Sequence, residues 1–369
     1  MKTANDIVQE DLADIGHRLS AEFGEMAGKK LLIVGGAGFL GYYLVQAPLA
    51  WNKTGKGAPI DVTVYDNWIR GKPDWIQVLE GDEHLKLVTH DITHPMPEDA
   101  EDYDYIIHAA SIASPIYYRK YPIETMDANV DGLRHLLNFA MKKQATGNPL
   151  SGFLFYSTSE IYGDPTPENI PTPETYRGNV SCTGPRACYD ESKRYGETLC
   201  VNFARQHGLH ITIARPFNNY GPGLKITDRR VLPDFARDVF EGRDIVMLSD
   251  GSPTRTFCYI ADAIVGYYKV LVKGEPGESY NIGTDAEEVS MAKLADEVVK
   301  VATANWDYKG QVVRKTSSDK EYLTDNPNRR CPVIDKARNQ LGYEPKVHFE
   351  EGLERALIWY SGNMVAEDA

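Results

Sequence analysis

Apolar positions recur at helical spacing through the first 28 residues (Ile7, Leu12, Ile15, Leu19, Phe23), which predicts an amphipathic helical extension with a packing role. From Lys29 the rhythm changes. Lys30–Val34 is a continuous apolar run, followed by a glycine turn, a helix through about Gln46 and a second run at Asp61–Tyr65. Further strands are expected at Leu85–Thr89, Tyr105–Ala109, Gly152–Ser157, Ile211–Arg215 and Ile245–Leu248. Apolar-faced helices separate them, as around Val130, Leu133, Leu136, Leu137 and Ala140. Continuous apolar strands alternating with helices predict an α/β fold, a doubly wound parallel sheet covered on both faces.

After Gly221 the order becomes irregular, with a helix-rich section from Met291 to Ala302. The expected organisation is therefore an N-terminal helical extension (1–28), a sheet domain (29–220, also receiving about 246–270), and a smaller C-terminal α/β lobe (221–245 and 271–369). Such a lobe closes over the carboxyl ends of the strands, where open α/β sheets bind ligands.

Composition narrows the options. With 42% hydrophobic and 25% charged residues in 369, the chain can bury a sizeable core. A net charge of −13 argues against a nonspecific hold on nucleic acid, so an anionic ligand would need helix N-termini and a few placed arginines. Five scattered cysteines without a paired motif read as reduced thiols, with no metal site. No run approaches the roughly 18–20 apolar residues of a membrane span, and no basic-then-apolar signal opens the chain; the expected location is cytoplasmic.

The turn Gly35-Gly36-Ala37-Gly38-Phe39-Leu40-Gly41 sits between a strand and a helix, with glycines three apart at 35, 38 and 41. Tight turning and close backbone approach let a pyrophosphate rest on the positive helix N-terminus. This marks a dinucleotide-binding Rossmann sheet, and the spacing is typical of short-chain dehydrogenase/reductase proteins. Asp66 ends the second strand, where a carboxylate accepts from adenosine ribose hydroxyls and favours NAD over NADP; Arg70 lies nearby. Phe39 and Leu40 in the turn, Asn67 beside Asp66, Asp91 and Ile92 after the third strand, Ala109 after the fourth, and Tyr189 and Lys193 further on complete the expected cofactor contacts. His108 reads as a packed histidine.

Tyr189 and Lys193 stand four apart in an expected helix and share one face. A tyrosine near its ordinary pKa of about 10 is a poor base, and a nearby ammonium lowers it. Tyr189 can then take a proton from a sugar hydroxyl. Ser157-Thr158-Ser159-Glu160 follows the strand Phe153–Tyr156 on the ligand side. It offers hydroxyls for the reacting oxygen and a carboxylate that can exchange a proton at a neighbouring carbon.

Taken together, residues 28 to 360 resemble the extended short-chain dehydrogenase/reductases that act on nucleotide sugars, above all the UDP-glucuronate decarboxylases, or UDP-xylose synthases. The resemblance rests on Thr158–Pro165, Gly184–Glu191 and Thr254–Tyr259. It implies that NAD oxidises C4 of UDP-glucuronate with Tyr189 as base and Thr158 steadying the C4 oxygen. The carboxylate then leaves as carbon dioxide, C5 is protonated and C4 is reduced again. Glu160 would position the ring and aid proton delivery at C5, and Arg255 would hold the pyrophosphate or carboxylate. Ser159, Arg186, Asn218, Arg230 and Tyr322 complete the implied substrate contacts. Relatives commonly pair through two helices, which here correspond to 125–142 and 189–206 of a homodimer. Val180–Thr183 and Arg229 depart from the usual pattern.

Three other readings use the same residues. A nucleotide-sugar 4,6-dehydratase would eliminate water across C5 and C6, although many such enzymes carry aspartate where Ser159 stands. A 4-epimerase has less use for Glu160. A cofactor-bound regulatory protein would be expected to have lost Tyr189, Lys193 or Thr158, all of which are present.

Overall fold

Six strands, β1 (Lys30–Val34), β2 (Asp61–Asp66), β3 (Leu85–Thr89), β4 (Tyr105–His108), β5 (Gly152–Tyr156) and β6 (Ile211–Pro216), join an edge strand, Ser279–Ile282, in one seven-stranded sheet. From one edge the order is Ser279–Ile282, β6, β5, β4, β1, β2, β3, and every neighbouring pair is parallel. The computed structural model describes residues 2–316, 324 and 326–364. β4 and β5 are buried throughout, while edge strand β3 has no fully buried position, so the apolar runs mark the sheet's centre.

The helices are α1 (Ala4–Arg18), α2 (Ser20–Glu25), α3 (Gly41–Asn52), α4 (Asp74–Gln77), α5 (Pro115–Lys120), α6 (Pro122–Ala145), α7 (Ala187–His207), α8 (Val231–Phe240), α9 (Ile260–Lys273), α10 (Met291–Trp306), α11 (Asp335–Leu341) and α12 (Phe349–Ser361). On one face α6 and α7 pack Leu133, Leu136, Leu137 and Leu199 against Leu32, Phe153 and Phe155. On the other, α3 and α9 cover Leu31, Ile33 and Leu154 and are themselves covered by α1, against which α12 packs in turn. The doubly wound architecture is as expected.

The edge strand Ser279–Ile282 falls within the stretch assigned above to the smaller lobe, so the sheet draws its last strand from beyond residue 271. Ile245–Met247 forms a strand, but it pairs with Val312–Arg314 outside the main sheet. Two more small pairings shape the region above the strand ends. Asn219–Tyr220 runs parallel to Cys258–Tyr259, and Thr254–Arg255 lies between Val289–Ser290 and Arg329–Arg330.

The N-terminal extension is part of the core. Ile7, Ile15, Leu19 and Phe23 are buried, each such burial contributing about 1.5–3 kcal/mol. Asp11, also buried, accepts from Tyr43 and Tyr259 hydroxyls at 2.6 Å each and from Arg355 at 2.6 Å. One carboxylate thus ties α1 to α3, to α12 and to the segment leading into α9.

Candidate active site

A cleft of about 820 Å³ opens over the carboxyl ends of the strands. β1 and β4 diverge there, since β2 lies on one side of β1 and β5 beyond β4. Every expected site residue within the described residues lines it; Tyr322 lies outside them.

At the β1 end, the glycine turn separates structural from spatial needs. Gly35 has φ +81°, and a Cβ on Gly41 would lie 2.0 Å from the Gly36 carbonyl oxygen, so the turn itself requires both. Gly38 differs. A Cβ there would meet nothing nearer than the Gly35 oxygen at 3.5 Å, so the chain leaves open space beside the start of α3. Phe39 and Leu40 border that space. Asp66 accepts from the Ala37 amide at 3.0 Å and the Trp68 amide at 2.9 Å, one bond to each oxygen, while burial pushes its carboxyl up. Burial would also raise Asp91, but bonds from Thr93 and Asn67 hold it below the ordinary range. Ser111 and Ser157 present buried hydroxyls to the cleft, without hydrogen-bond partners among the described residues. His108 is packed beneath it, its ring pushed down to about 3 by burial and by Lys193.

α7 supplies the next group. Gly196 lets this helix press onto β5, since a Cβ there would lie 2.4 Å from the Phe155 ring. Lys193 consequently reaches the Tyr156 carbonyl, to which it donates at 2.7 Å, and its Nζ lies 5.9 Å from the centre of the Tyr189 ring. Tyr189 stacks on Tyr118, with ring centres 5.1 Å apart. Burial and the Glu160 charge push Tyr189 up to about 12 despite the opposing Thr158 hydroxyl, and burial pushes Lys193 down to about 7. The protein alone therefore keeps the phenol protonated. Desolvation acts on both groups, so the four-residue spacing does not by itself give Lys193 a leading part in lowering the phenol.

Beyond Tyr189 lies an arginine cluster. After β5, Thr158 caps a short turn by accepting from the Glu160 amide at 3.2 Å, which aims Glu160 into the cleft beside Ser159. One Glu160 oxygen accepts from Arg186 and, at 2.7 Å, from Arg330. Burial would raise Glu160, but Arg186, Arg330, Arg255 and Arg230 outweigh it and keep the carboxylate ionised. Arg255 donates to the Pro327 carbonyl at 2.7 Å and to Asn326 at 3.2 Å; burial and neighbouring Arg330 push it down to about 9. Its guanidinium thus anchors residues 326–328 as well as facing the cleft. Asn218, at φ +44°, accepts from Arg330 at 3.3 Å, and Arg230 pairs with Asp228 at 3.1 Å. Arg229 adopts φ +67°, a conformation that suits glycine.

Sequence reasoning missed Arg330, Tyr118 and Asp190. Arg330 enters through the pairing of Arg329–Arg330 with Thr254–Arg255, which no local pattern announces.

The sequence pattern described as the NAD dependent epimerase/dehydratase family matches residues 31–283. The chain belongs to this family. Among curated relatives, UDP-glucuronic acid decarboxylase 5 of Arabidopsis thaliana is 38% identical over 324 residues, 88% of this chain and 87% of its own. UDP-glucuronic acid decarboxylase 1 of Xenopus tropicalis is 34% identical, covering 90% and 72%. An epimerase of Methanothermobacter thermautotrophicus superposes with a TM-score of 0.77 at 27% identity, covering 94% of this chain and 96% of its own. The dTDP-glucose 4,6-dehydratase DesIV of Streptomyces venezuelae, solved with NAD bound, gives 0.77 at 25%, covering 90% and 97%. Within this epimerase/dehydratase chain, no helix among the described residues is long and apolar enough to cross a membrane.

Proposed function

We propose that this chain converts UDP-glucuronate to UDP-xylose through a 4-keto intermediate, with NAD as its resident cofactor. The carrying observation is the Glu160–Arg186–Arg330 cluster beside Tyr189 and Thr158: an ionised carboxylate and several arginines face the same cleft as a tyrosine base. A neutral hexose makes little use of that much positive charge, whereas a uronate does. The decarboxylase relatives support the same reading.

The open space at Gly38 and the unpartnered Ser111 and Ser157 hydroxyls fit NAD. Phe39, Leu40 and Gly41 would hold its pyrophosphate on α3, Asp66 and Asn67 its ribose, Asp91 and Ile92 its adenine, and Ala109 and Lys193 its other half. When bound, NAD supplies the redox couple for oxidation and re-reduction at C4. Tyr189 takes the C4 hydroxyl proton, and Thr158 holds the reacting oxygen. Arg186, Arg230, Arg255 and Asn218 orient the charged parts of the substrate, and Glu160, ionised between two arginines, guides the proton to C5. Ser159 offers only a hydroxyl where a dehydratase would need an acid.

We also infer a cytoplasmic homodimer. α6 and α7 pack together, Ile123 and Met126 of α6 and Tyr195 of α7 are exposed, and all five cysteines are free thiols. Incubating the purified protein with UDP-glucuronate and catalytic NAD tests the activity: carbon dioxide and a UDP-pentose are expected. Intact UDP-glucuronate alongside turnover of a neutral hexose nucleotide would overturn it.

A further inference from the structure

Asp190 follows Tyr189 in α7 and is buried, yet the chemistry above gives it no part. Its Oδ2 lies 3.6 Å from Nε of Arg186, four residues earlier. Among the described residues Arg186 Nε and Asp190 Oδ1 are both buried without hydrogen-bond partners, so this contact is electrostatic. Arg186 therefore lies between two carboxylates, Asp190 from its own helix and Glu160 from the turn after β5, and Glu160 lies between Arg186 and Arg330. The groups facing Asp190 are Arg186 at the N-cap of α7, Cys188 and Tyr189 on α7, Glu160 after β5, Arg330 on its short strand, and Tyr118 on α5.

Charge accounting gives this chain of contacts a consequence. With Arg230 offset by Asp228, Arg186, Arg255 and Arg330 bear three positive charges against Glu160 and Asp190, leaving a surplus of one with Asp190 ionised and two with it protonated. On the decarboxylase reading, that surplus would meet the substrate carboxylate. As the C5–C6 bond breaks, its electron pair passes into the C4 ketone, giving an enolate and carbon dioxide, and C5 then takes a proton. Negative charge thus leaves the carboxylate in the transition state, so excess positive charge there strengthens ground-state binding and slows the step.

We propose that Asp190 is a positioning residue for the decarboxylation, holding the Arg186 guanidinium behind Glu160 and, by its own charge, limiting how firmly the arginine cluster grips the substrate carboxylate. The inference rests on the decarboxylase reading. Burial and the Glu160 charge push Asp190 up to about 7, with Arg186 opposing, so the limit operates around neutral pH.

The test is Asp190→Asn, with Asp190→Glu as the conservative variant and UDP-glucose binding as a probe that lacks the carboxylate. Removing one charge in a setting of effective dielectric about 20 should lower both KM for UDP-glucuronate and kcat about tenfold at pH 8. UDP-glucose affinity should change less than about twofold, since that ligand brings only its diphosphate and puts no carboxylate beside the arginine cluster. In the wild type, KM should fall as pH drops from about 8 to 6; it should stay flat in Asp190→Asn and regain its slope in Asp190→Glu. Unchanged KM and its pH slope in Asp190→Asn, a loss in kcat alone, or an equal loss of affinity for both nucleotides would overturn the proposal. Failure of the underlying decarboxylase reading appears separately, as a wild type that releases no carbon dioxide.

Discussion

Gly38 and Gly41 lie three residues apart in one turn, yet alanine should act in opposite ways at the two positions. At Gly38 a Cβ meets only the Gly35 oxygen, at 3.5 Å, and φ is outside the left-handed region, so the fold accepts it. Restricting the unfolded chain then stabilises the protein by about 0.4–1 kcal/mol. With an unfolding entropy near 2.1 cal/mol/K per residue, that is a rise of only about 1 °C in Tm for a chain this long. The methyl would nonetheless fill the space assigned to the NAD pyrophosphate. Losing one charge-assisted bond of about 1.5–3 kcal/mol should weaken binding about 10- to 150-fold. At Gly41 the Cβ would fall 2.0 Å from the Gly36 oxygen and 2.5 Å from its carbonyl carbon, both backbone atoms. Overpacking of that kind costs about 1–3 kcal/mol and should lower Tm by about 1–4 °C. Thermal melts and calorimetric titration of NAD into cofactor-stripped protein separate the two cases. Wild-type NAD affinity in Gly38→Ala would refute the pyrophosphate assignment, and a wild-type melt in Gly41→Ala would refute the steric argument.

Tyr189→Phe keeps the ring stacked on Tyr118 and should bind NAD as before while turnover falls about 10²–10⁴-fold; retained activity in steady-state assays would remove Tyr189 from the mechanism. Arg330→Ala leaves Glu160 with one bonded arginine, and turnover of UDP-glucuronate should drop about 100-fold or more; a wild-type rate would separate Arg330 from the chemistry. Asp11→Ala strips the acceptor from two tyrosine hydroxyls and Arg355 and should cost about 2–4 kcal/mol by denaturant unfolding, with a change under about 0.5 kcal/mol contradicting its role. Burial pushes Asp11 up to about 6 from 3.8, so the folded state holds its proton more tightly. The stability arising from that shift is full below 3.8 and is lost as pH rises through about 6. The stability of the wild type relative to Asp11→Asn should therefore decline between about pH 4 and 7, and a rising difference would reverse the argument.

The central strands were legible because apolar runs such as Lys30–Val34 and Phe153–Tyr156 need two covering layers, and the glycine turn placed a nucleotide at their ends. Ser279–Ile282 escaped because only Tyr280 and Ile282 are apolar; Asn281 sits in the core with its amide donating to the Thr172 and Val333 carbonyls at 3.0 Å each. Ile245–Met247 looked like a sheet strand because three apolar residues carry no information about which neighbour they pair with. In the candidate site, short motifs exposed Thr158, Glu160, Tyr189 and Lys193. Arg330 required a strand pairing across 75 positions, and the Arg186–Asp190 contact was hidden behind the adjacent tyrosine motif.

The in-register placement of Arg255 opposite Arg330 has a consequence for how the molecule tolerates heat and change. Two like charges side by side, one of them strongly desolvated, make a contact that folding by itself would select against. A neutral residue at either position would relieve that repulsion but would also leave Glu160 one bonded arginine short or residues 326–328 without their anchor, so the like charges persist because opposite charges and carbonyls around them hold them in place. An anionic ligand settles the same conflict without mutation. The cleft should be the part of the protein that gains most firmness when its substrate arrives.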